Sequence, residues 1–263
     1  MSFTNYVSEV NGIFGRWIKK TLRRPQFLFF SLVQPVVWFV LFTQAFQSIA
    51  SVPGFSQVAK TSSYVTFFSA AVIIQTVISS AMQSGMGMVT DLESGYMDKM
   101  RVAPIHRSAI LMGKVLSDGT RIVIQTIVIL ILGFLLGVTI ASGIGGLLIL
   151  LALAMAFGIA WSGISTFIGL ATKNSEATLM ISLLTTFPLL FLSTAMMPKV
   201  FLPSWVQTVA TYNPMSYIAD ALHALVITGF DWTLLSYAAL TILAVGALSL
   251  TATTSMFRRT VSG

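Results

Sequence analysis

The sequence predicts an all-α polytopic membrane protein with six transmembrane helices. Of its 263 residues, 56% are hydrophobic and only 9% are charged, whereas soluble domains average about 25% charged residues. Six apolar stretches are each long enough to cross a bilayer core, which takes about 20 helical residues. They are residues 27–49, 64–89, 122–141, 144–171, 177–197 and 234–256. We therefore expect residues 1–263 to form a single transmembrane domain.

The distribution of basic residues predicts the orientation of these spans. With a cytoplasmic N-terminus, 13 of the 15 Lys and Arg residues fall on the cytoplasmic side, and only Lys60 and Lys199 fall outside. Cytoplasmic loops of membrane proteins carry such an excess of positive charge. We therefore expect a multi-pass protein of the inner or plasma membrane with both termini in the cytoplasm. The cytoplasmic group comprises Arg16, Lys19, Lys20, Arg23, Arg24, Lys99, Arg101, Arg107, Lys114, Arg121, Lys173, Arg258 and Arg259.

Composition also excludes several classes of function. The net charge of +7 does not indicate nucleic-acid binding, because the basic residues flank apolar spans and form no stripe with interleaved aromatics. Anionic lipid headgroups are the better partners for them. The chain has no cysteine, and its two histidines, His106 and His223, do not have a zinc-binding spacing. It also lacks a phosphate loop of the GxxxxGK[ST] kind, so we expect no catalytic, metal or ATP site in this chain.

An amphipathic helix is predicted over residues 3–24, before the first span. Its apolar residues recur at nearly helical spacing, and Pro25 ends the helix or bends the chain into the span. Basic residues accompany the apolar face, as they do in helices that lie at a membrane surface. Two interpretations stay open, a simple topology anchor and a helix that also contacts a cytoplasmic partner. The apolar residues are Phe3, Tyr6, Val10, Ile13, Phe14, Trp17, Ile18 and Leu22.

The segment after the second span, 91–104, is predicted to form a short helix across the end of that span. Glu93, Met97 and Met100 share one face at i, i+4 and i+7 spacing, and Pro104 ends the pattern. A short helix with an apolar ridge and charged flanks suits a groove on another protein. Spacing also allows an ordinary solvated loop helix, and it does not decide between the two.

The segment before the last span, 198–233, is too apolar for a solvated external loop. Pro198, Pro203 and Pro214 divide it into pieces too short to cross a bilayer. We expect Pro203 and Pro214 each to begin a short external or re-entrant helix, since a proline at the first helical position loses no hydrogen bond. Asp220 would then face water, backbone donors or a partner subunit. A surface cap without a role in gating is the alternative.

Two stretches resemble permease subunits of type-2 ABC exporters, and the nearest resemblance is to daunorubicin-resistance-type multidrug permeases. Residues 91–104, DLESGYMDKMRVAP, are similar to the family pattern D-x-E-x-G-x-[ML]-[ED]-x-[ML]-x-x-x-P, and RSAILMGKVLSD at 107–118 resembles its continuation. The second stretch contains FLSTAMMPKVFLPSW at 191–205 and NPMSYIADALHALVITG at 213–229. One position departs from the pattern, because His223 stands where many relatives have Arg.

The resemblance implies a transport subunit that is not itself an enzyme. Such permeases pair with a second permease copy, identical or paralogous, and bind two ABC ATPase subunits that hold ATP and Mg, so this chain would need no cofactor. Segment 91–104 would be the coupling helix and 3–24 the interface helix. The coupling residues would be Asp91, Glu93, Gly95, Met97, Met100, Arg101 and Pro104. The interface residues would be Arg16, Trp17, Lys20 and Arg23, and the substrate path or gate would include Thr186, Phe187, Phe191, Tyr217 and Asp220.

The expected function is ATP-driven export of a hydrophobic or amphipathic substrate, a drug, antibiotic or lipid. Export of a lipid-linked glycan or polysaccharide is the alternative within the family. An ATP-independent channel or carrier is disfavoured, because Asp118 and Arg121 are expected at the cytoplasmic end of the third span and not at its centre. A membrane-embedded lipid enzyme would need a catalytic cluster that the sequence lacks.

Overall fold

The computed structural model describes residues 3–23, 25–96 and 106–262, and every regular element in these ranges is helical. Residues 97–104 of the predicted coupling segment lie outside the described residues. The α-helices are α1 (Phe3–Leu22), α2 (Pro25–Ala45), α3 (Phe55–Ala59), α4 (Tyr64–Glu93), α5 (Arg107–Leu135), α6 (Gly143–Thr172), α7 (Ser175–Phe191), α8 (Ser204–Tyr212), α9 (Pro214–His223) and α10 (Trp232–Ser262). Short 3₁₀ turns cover Gln47–Ser51 and Lys199–Phe201, and a π turn covers Ala224–Thr228.

Four of the described helices are long and apolar enough to cross a membrane, which agrees with a helical membrane protein. They are α4, α5, α6 and α10. Two shorter apolar stretches, Ser31–Ala45 within α2 and Ser175–Phe191, which is α7, occupy the first and fifth predicted spans. Four of the six predicted spans therefore coincide with helices long enough to cross a membrane, and the count of six stays a prediction.

Several helix boundaries differ from the ends of the predicted spans, those of α5 and α7 among them. α5 begins at Arg107, well before the predicted start at residue 122, so its polar first half continues the helix. α7 ends at Phe191 instead of continuing to residue 197. Asn213 accounts for this end, because its side-chain amide donates to the carbonyls of Leu189 (2.6 Å) and Leu192 (3.0 Å). Those carbonyls lie at the C-terminal end of α7, where intrahelical donors run out.

α4 is the central helix, since nearly all of its apolar length is buried. It packs most closely on α6, where glycines let the two backbones approach. A Cβ atom added at Gly85 of α4 would lie 2.3 Å from the carbonyl oxygen of Ser165, and one at Gly169 of α6 would lie 2.9 Å from that of Gly85. Small residues allow such contacts between membrane helices. The Ser165 hydroxyl also donates to the carbonyl of Met82 (3.0 Å), which joins the same two helices.

α1 packs across the end of the bundle at which α4 finishes and α5 begins, here called the α1 end. A Cβ atom added at Gly113 of α5 would lie 2.8 Å from Ile13 and 2.9 Å from the carbonyl of Val10. The segments between α2 and α4 and between α7 and α10 lie at the opposite end. α8 begins directly after Pro203 and α9 begins at Pro214, where the sequence places two short helices.

The α4–α6 contact gives a stability prediction. Replacing Gly85 with Ala should destabilise the fold by about 1–3 kcal/mol, since the new methyl group overlaps the α6 backbone. Gly12→Ala on α1 is the matched control, because no atom lies within 4 Å of its added Cβ. We expect Gly12→Ala to be neutral or stabilising by up to about 1 kcal/mol. Unfolding in mixed micelles would measure both, and equal midpoints for the two variants would contradict the close contact.

Candidate functional site

The apolar face of α1 is anchored in a small core at the α1 end. The helix matches the predicted amphipathic segment 3–24, and Val10, Ile13 and Trp17 are its buried side chains. They are spaced at three and four residues and so share one face. Four residues from the long helices complete the core with Ile13 and Trp17. These are Met88 of α4, Ile110 of α5, Leu170 of α6 and Phe257 of α10.

Asp91 ties the polar side of α1 to the last turn of α4. Its carboxylate accepts from Arg16 Nη1 at 3.0 Å and from Lys20 Nζ at 2.6 Å, and its side chain is only 4% exposed. Arg16 and Lys20 lie four residues apart and therefore project from the same face of α1. A nearly buried carboxylate needs such partners, because an unpaired charge is costly to desolvate. This pairing fixes the position of α1 along α4.

α1 also contacts both described ends of the loop that contains the predicted coupling segment. The Arg16 guanidinium lies 3.3 Å from the ring centroid of Tyr96, the last described residue before the loop. Glu9 accepts from the backbone N–H of His106, the first described residue after it, at 2.9 Å. The same carboxylate oxygen lies 2.9 Å from His106 Nδ1. Glu9 and Arg16 are seven residues apart, two helical turns or about 10 Å.

The hydrogen bonds from His106 lower the pKa of Glu9, with the backbone N–H bond as the largest cause. The carboxylate form is therefore the bonded one. Its contribution is present above the ordinary pKa of a glutamate and is lost as the pH falls through the lowered value. The contact with His106 is consequently intact at neutral pH.

A buried row of charges on α5 lies beside this contact. Asp118 pairs with Lys114 (2.7 Å) and with Arg121 (3.1 Å), and it also accepts from the Ser84 hydroxyl of α4 (2.6 Å). Lys114 donates to the same hydroxyl, and Arg121 donates to the Ser80 hydroxyl (3.0 Å) and carbonyl (2.7 Å). The three side chains lie at i, i+4 and i+7 on one face of α5. They are within the helix, not at its end, because α5 begins at Arg107.

The predicted coupling residues fall in three places. Asp91 and Glu93 belong to the last turn of α4, and Glu93 is exposed, unlike Asp91. Gly95 follows with a φ of +65°, a left-handed conformation suited to glycine, so the α4 helix does not run on into the loop. Met97, Met100, Arg101 and Pro104 lie outside the described residues.

The predicted interface residues differ in what they contact. Arg16, Trp17 and Lys20 come together at Asp91, and both cations lie over the Trp17 ring, Arg16 at 5.3 Å and Lys20 at 4.5 Å from the centroid. Arg23 follows one turn later and is exposed. It lines an open basic groove together with Asn11, Gly12, Gly15, Arg16, Lys19 and Lys20.

Asp220 lines a cavity of about 270 Å³ at the opposite end of the bundle. The Thr194 hydroxyl donates to its carboxylate at 2.6 Å, and burial raises the pKa of this group. His223 lines the same cavity and stacks on Phe67 with ring centroids 4.1 Å apart. Burial lowers the pKa of His223 to about 4. The imidazole is therefore neutral, and its Nε2 lies 3.1 Å from the carbonyl of Phe67, where it donates. His223 is not paired with Asp220.

The other predicted path residues have different neighbours. Thr186 is buried and accepts from Trp161 Nε1 of α6 at 3.2 Å. Phe187 and Phe191 instead face α2, with ring centroids 6.2 Å and 6.0 Å from Trp38. Within a single chain these residues therefore do not share the cavity that Asp220 lines.

Tyr217 also lies apart from that cavity, and it joins α9 to two neighbouring helices. Its hydroxyl donates to the carbonyl of Thr211 at the end of α8 (2.8 Å), and its ring meets Tyr237 of α10 edge-on. Asn213 lies between α8 and α9. Its side-chain oxygen accepts from the N–H of Met215 (2.9 Å), while its amide caps α7. α9 is thus held at both its beginning and its middle.

Sequence reasoning missed two features of the α1 end. The contact of Glu9 with His106 has no signal in the sequence, because the two residues are 97 positions apart. The charge row Lys114–Asp118–Arg121 does have one, namely its i, i+4, i+7 spacing. It was interpreted as flanking charge because the span was expected to begin at residue 122.

Comparison with known proteins identifies a family whose model matches most of this chain. The model of the family described as ABC-2 type transporter matches residues 9–227. The chain is 28% identical over 190 residues to the daunorubicin resistance ABC transporter permease protein DrrB1 of Streptomyces coeruleorubidus, over 72% of this chain and 65% of that protein. It therefore spans just under two thirds of the length of DrrB1.

Two further relatives carry names of the same kind. The putative transport permease ycf38 of Porphyra purpurea is 28% identical over 228 residues, which cover 86% of this chain and 76% of that protein. The probable doxorubicin resistance ABC transporter permease protein DrrC of Mycobacterium tuberculosis H37Rv is 26% identical over 135 residues. That match covers 51% of this chain and 49% of DrrC.

Proposed function

This chain belongs to the ABC-2 type transporter family, and we propose that it is the membrane subunit of an ATP-driven exporter. Two of the relatives named above are daunorubicin and doxorubicin resistance permeases, which supports a hydrophobic or amphipathic substrate such as a drug, an antibiotic or a lipid. A lipid-linked glycan or polysaccharide is the second candidate. ATP and Mg would be bound by an ABC ATPase, of which two copies would serve two permease copies, identical or paralogous.

The observation that carries this proposal is the attachment of α1 to both ends of the loop after α4. Tyr96 and His106 bracket residues 97–105, and α1 contacts them through Arg16 and Glu9. A force applied by an ATPase to this loop would therefore reach α1 directly. Asp91 would pass the same force to α4, since Arg16 and Lys20 join it to α1. Segment 91–104 is thereby proposed as the coupling segment and α1 as the interface helix.

The proposed topology has six spans, with the α1 end in the cytoplasm of the inner or plasma membrane. α2 has 21 residues, or about 31 Å of helix, which matches a bilayer core of about 30 Å. α7 has 17 residues and would be completed by the segment that Asn213 holds against its end. This orientation places most basic residues inside, as the positive-inside rule requires.

An outer gate is proposed at the opposite end, formed by α8 and α9 with the cavity around Asp220. These helices are too short to cross a bilayer, and Tyr217 and Asp220 of α9 have hydrogen-bond partners, as buried polar groups of re-entrant segments require. Phe187 and Phe191, beside Trp38, are the aromatic surface that a second copy or a substrate would meet.

The coupling proposal predicts the effect of one substitution. Met97→Asp places a charge on the apolar ridge that the sequence predicts for segment 91–104, so it should weaken binding of the ATPase and abolish transport, because an interface disfavours an unpaired charge. Pull-down of the co-expressed ATPase and substrate export from inverted vesicles would measure both. Ser175→Asp is the matched control, since an acidic residue in the first turn of α7 is favourable there.

Wild-type pull-down and export in Met97→Asp would show that segment 91–104 does not bind the ATPase. Export that continues with a hydrolysis-deficient ATPase would instead favour an ATP-independent carrier. The buried charges Lys114, Asp118 and Arg121 are the feature that such a carrier would use.

The topology is testable on the naturally cysteine-free chain. Single cysteines at Ser51 and Ser204 should react with an impermeant maleimide in intact cells, since both residues are exposed at the proposed outer end. Cysteines at Ser108 and Ser262 should react only after permeabilisation. Labelling of Ser262 in intact cells would rule out six spans with both termini inside.

The gate proposal predicts that substitutions in the gate affect transport without affecting ATPase binding. Asp220→Ala or Tyr217→Ala should alter transport and leave ATPase binding intact, because both residues lie far from the α1 end. Tyr212→Ala is the control, since this tyrosine on the neighbouring helix is 82% exposed. Normal transport in both variants, at normal expression, would favour a surface cap over a gate.

A further inference from the structure

A small cavity lies between α1, α4 and α5 beside the buried charges. Its volume is about 90 Å³, and Lys20, Arg121 and Asp118 contribute the charged part of its wall. Other lining residues, among them Thr21 of α1 and Gly87 and Thr90 of α4, are partly exposed, so the cavity is not sealed. Lys20 in its wall also takes part in the coupling contacts through Asp91, but those contacts leave the space itself empty of side chains.

The charges around this cavity do not balance. Four cations, Arg16, Lys20, Lys114 and Arg121, share two carboxylates, Asp91 and Asp118, which leaves a formal charge of +2 (four minus two). An excess of +1 would remain even with Lys114 neutral. The two groups of charges are neighbours, since Lys20 and Lys114 lie 4.5 Å and 5.2 Å from the Trp17 ring centroid. Charges that are largely removed from water need counter-charges, so this site favours an anion.

The depth of the cavity indicates where that anion comes from. α4 has 30 residues, or about 45 Å of helix, which equals a bilayer with its headgroup regions. Gly87 and Thr90 lie six and three residues before the end of α4 at Glu93, so they are about 5–9 Å inside that end. This is the level of the headgroups and their phosphates, and Trp17 beside it is a residue typical of that level.

One polar atom in the cavity wall lacks a partner. The Gln83 side-chain oxygen is buried and accepts no hydrogen bond in the part of the chain that the structure describes. An unpaired acceptor beside an excess of cations matches a ligand that carries both a phosphate and a hydroxyl donor. A glycerol headgroup has this combination.

We propose that the cavity between α1, α4 and α5 binds the headgroup of an acidic phospholipid, with phosphatidylglycerol as the best fit. Lys20 and Arg121 face the phosphate, Gln83 accepts from the glycerol, and the acyl chains lie along the lipid-facing side of the bundle. The bound lipid supplies one negative charge, which reduces the excess from +2 to +1, and it holds α1 against α4 and α5. This role is independent of which substrate the protein transports.

The test uses the full-length protein in detergent, with phosphatidylglycerol, phosphatidylcholine and soluble glycerol 1-phosphate as probes. Thermal unfolding and native mass spectrometry measure stabilisation and retained lipid. Phosphatidylglycerol should raise the unfolding midpoint in a saturable way and remain bound, while the other two probes should do neither. Equal effects of phosphatidylcholine would overturn the acidic-lipid site, and equal effects of glycerol 1-phosphate would show a soluble anion instead.

Three variants locate the effect within the chain. Thr21→Leu fills the cavity and keeps every charge, and Lys20→Gln removes one cation from its wall. Lys20→Gln should raise the half-saturating concentration of phosphatidylglycerol about five-fold, the effect of one basic residue at an acidic surface. Thr21→Leu should raise it as well, because the larger side chain occupies the space of the headgroup. Lys19→Gln removes the same charge from the next residue, outside this cavity, and should leave the response unchanged. A wild-type response in both Thr21→Leu and Lys20→Gln, or an equal loss in Lys19→Gln, would overturn the assignment.

Discussion

A nearly buried charged side chain must find a partner, and in this protein that requirement joins α1 to the long helices. Asp91 is nearly buried at the end of α4, and Arg16 and Lys20 of α1 are its cationic partners. Removing either cation leaves the carboxylate short of a partner, and removing Asp91 leaves two cations unpaired. The apolar contacts of Ile13 and Trp17 keep α1 packed against the long helices. They do not fix its position along α4 in the way that the ion pairs do.

The packing of α4 extends this constraint through the bundle. Because Gly85 and Gly169 bring α4 and α6 into backbone contact, the two helices behave as one layer. Ser84 then links α4 to the charge row of α5 through Asp118. Movement of α1 and its loop would therefore reach the centre of the bundle, while α8 and α9 are held at the far end by Asn213 and Tyr217. Such an arrangement suits a protein that transmits force from one membrane face to the other.

The sequence predicted those features that depend on local pattern. Spacing placed α1, the four long helices and the two short helices after Pro203 and Pro214, and motif resemblance led to the family that the comparison confirmed. The sequence did not predict the features that depend on contacts between residues far apart in the chain. The charges in the first half of α5 are buried because Asp118 is paired with Lys114 and Arg121 and accepts from Ser84, contacts that a hydropathy pattern does not register.

The candidate site shows the same division between residues that a local pattern identifies and contacts that it does not. Arg16, Trp17, Lys20 and Asp91 were selected from two separate segments, but their pairing with one another was not predicted. Arg23 shares their spacing but is exposed, and the ion pairs to Asp91 come from Arg16 and Lys20. The resemblance also gathered Thr186, Phe187, Tyr217 and Asp220 as one path, whereas in a single chain they contact different helices. Whether a second copy brings them together is a property of the assembly that a single sequence does not encode.

The central claim is that α1 and the end of α4 move as one body under the control of Asp91. Spin labels on cysteines at Ser8 of α1 and at Ser94, directly after α4, would report the distance between these two exposed positions. Pulsed electron paramagnetic resonance would measure it with the ATPase bound. We expect one narrow distance distribution that is the same with and without ATP, and a broad one in Asp91→Asn. A distance that changes with ATP in the wild type, or an unchanged distribution in Asp91→Asn, would contradict the claim.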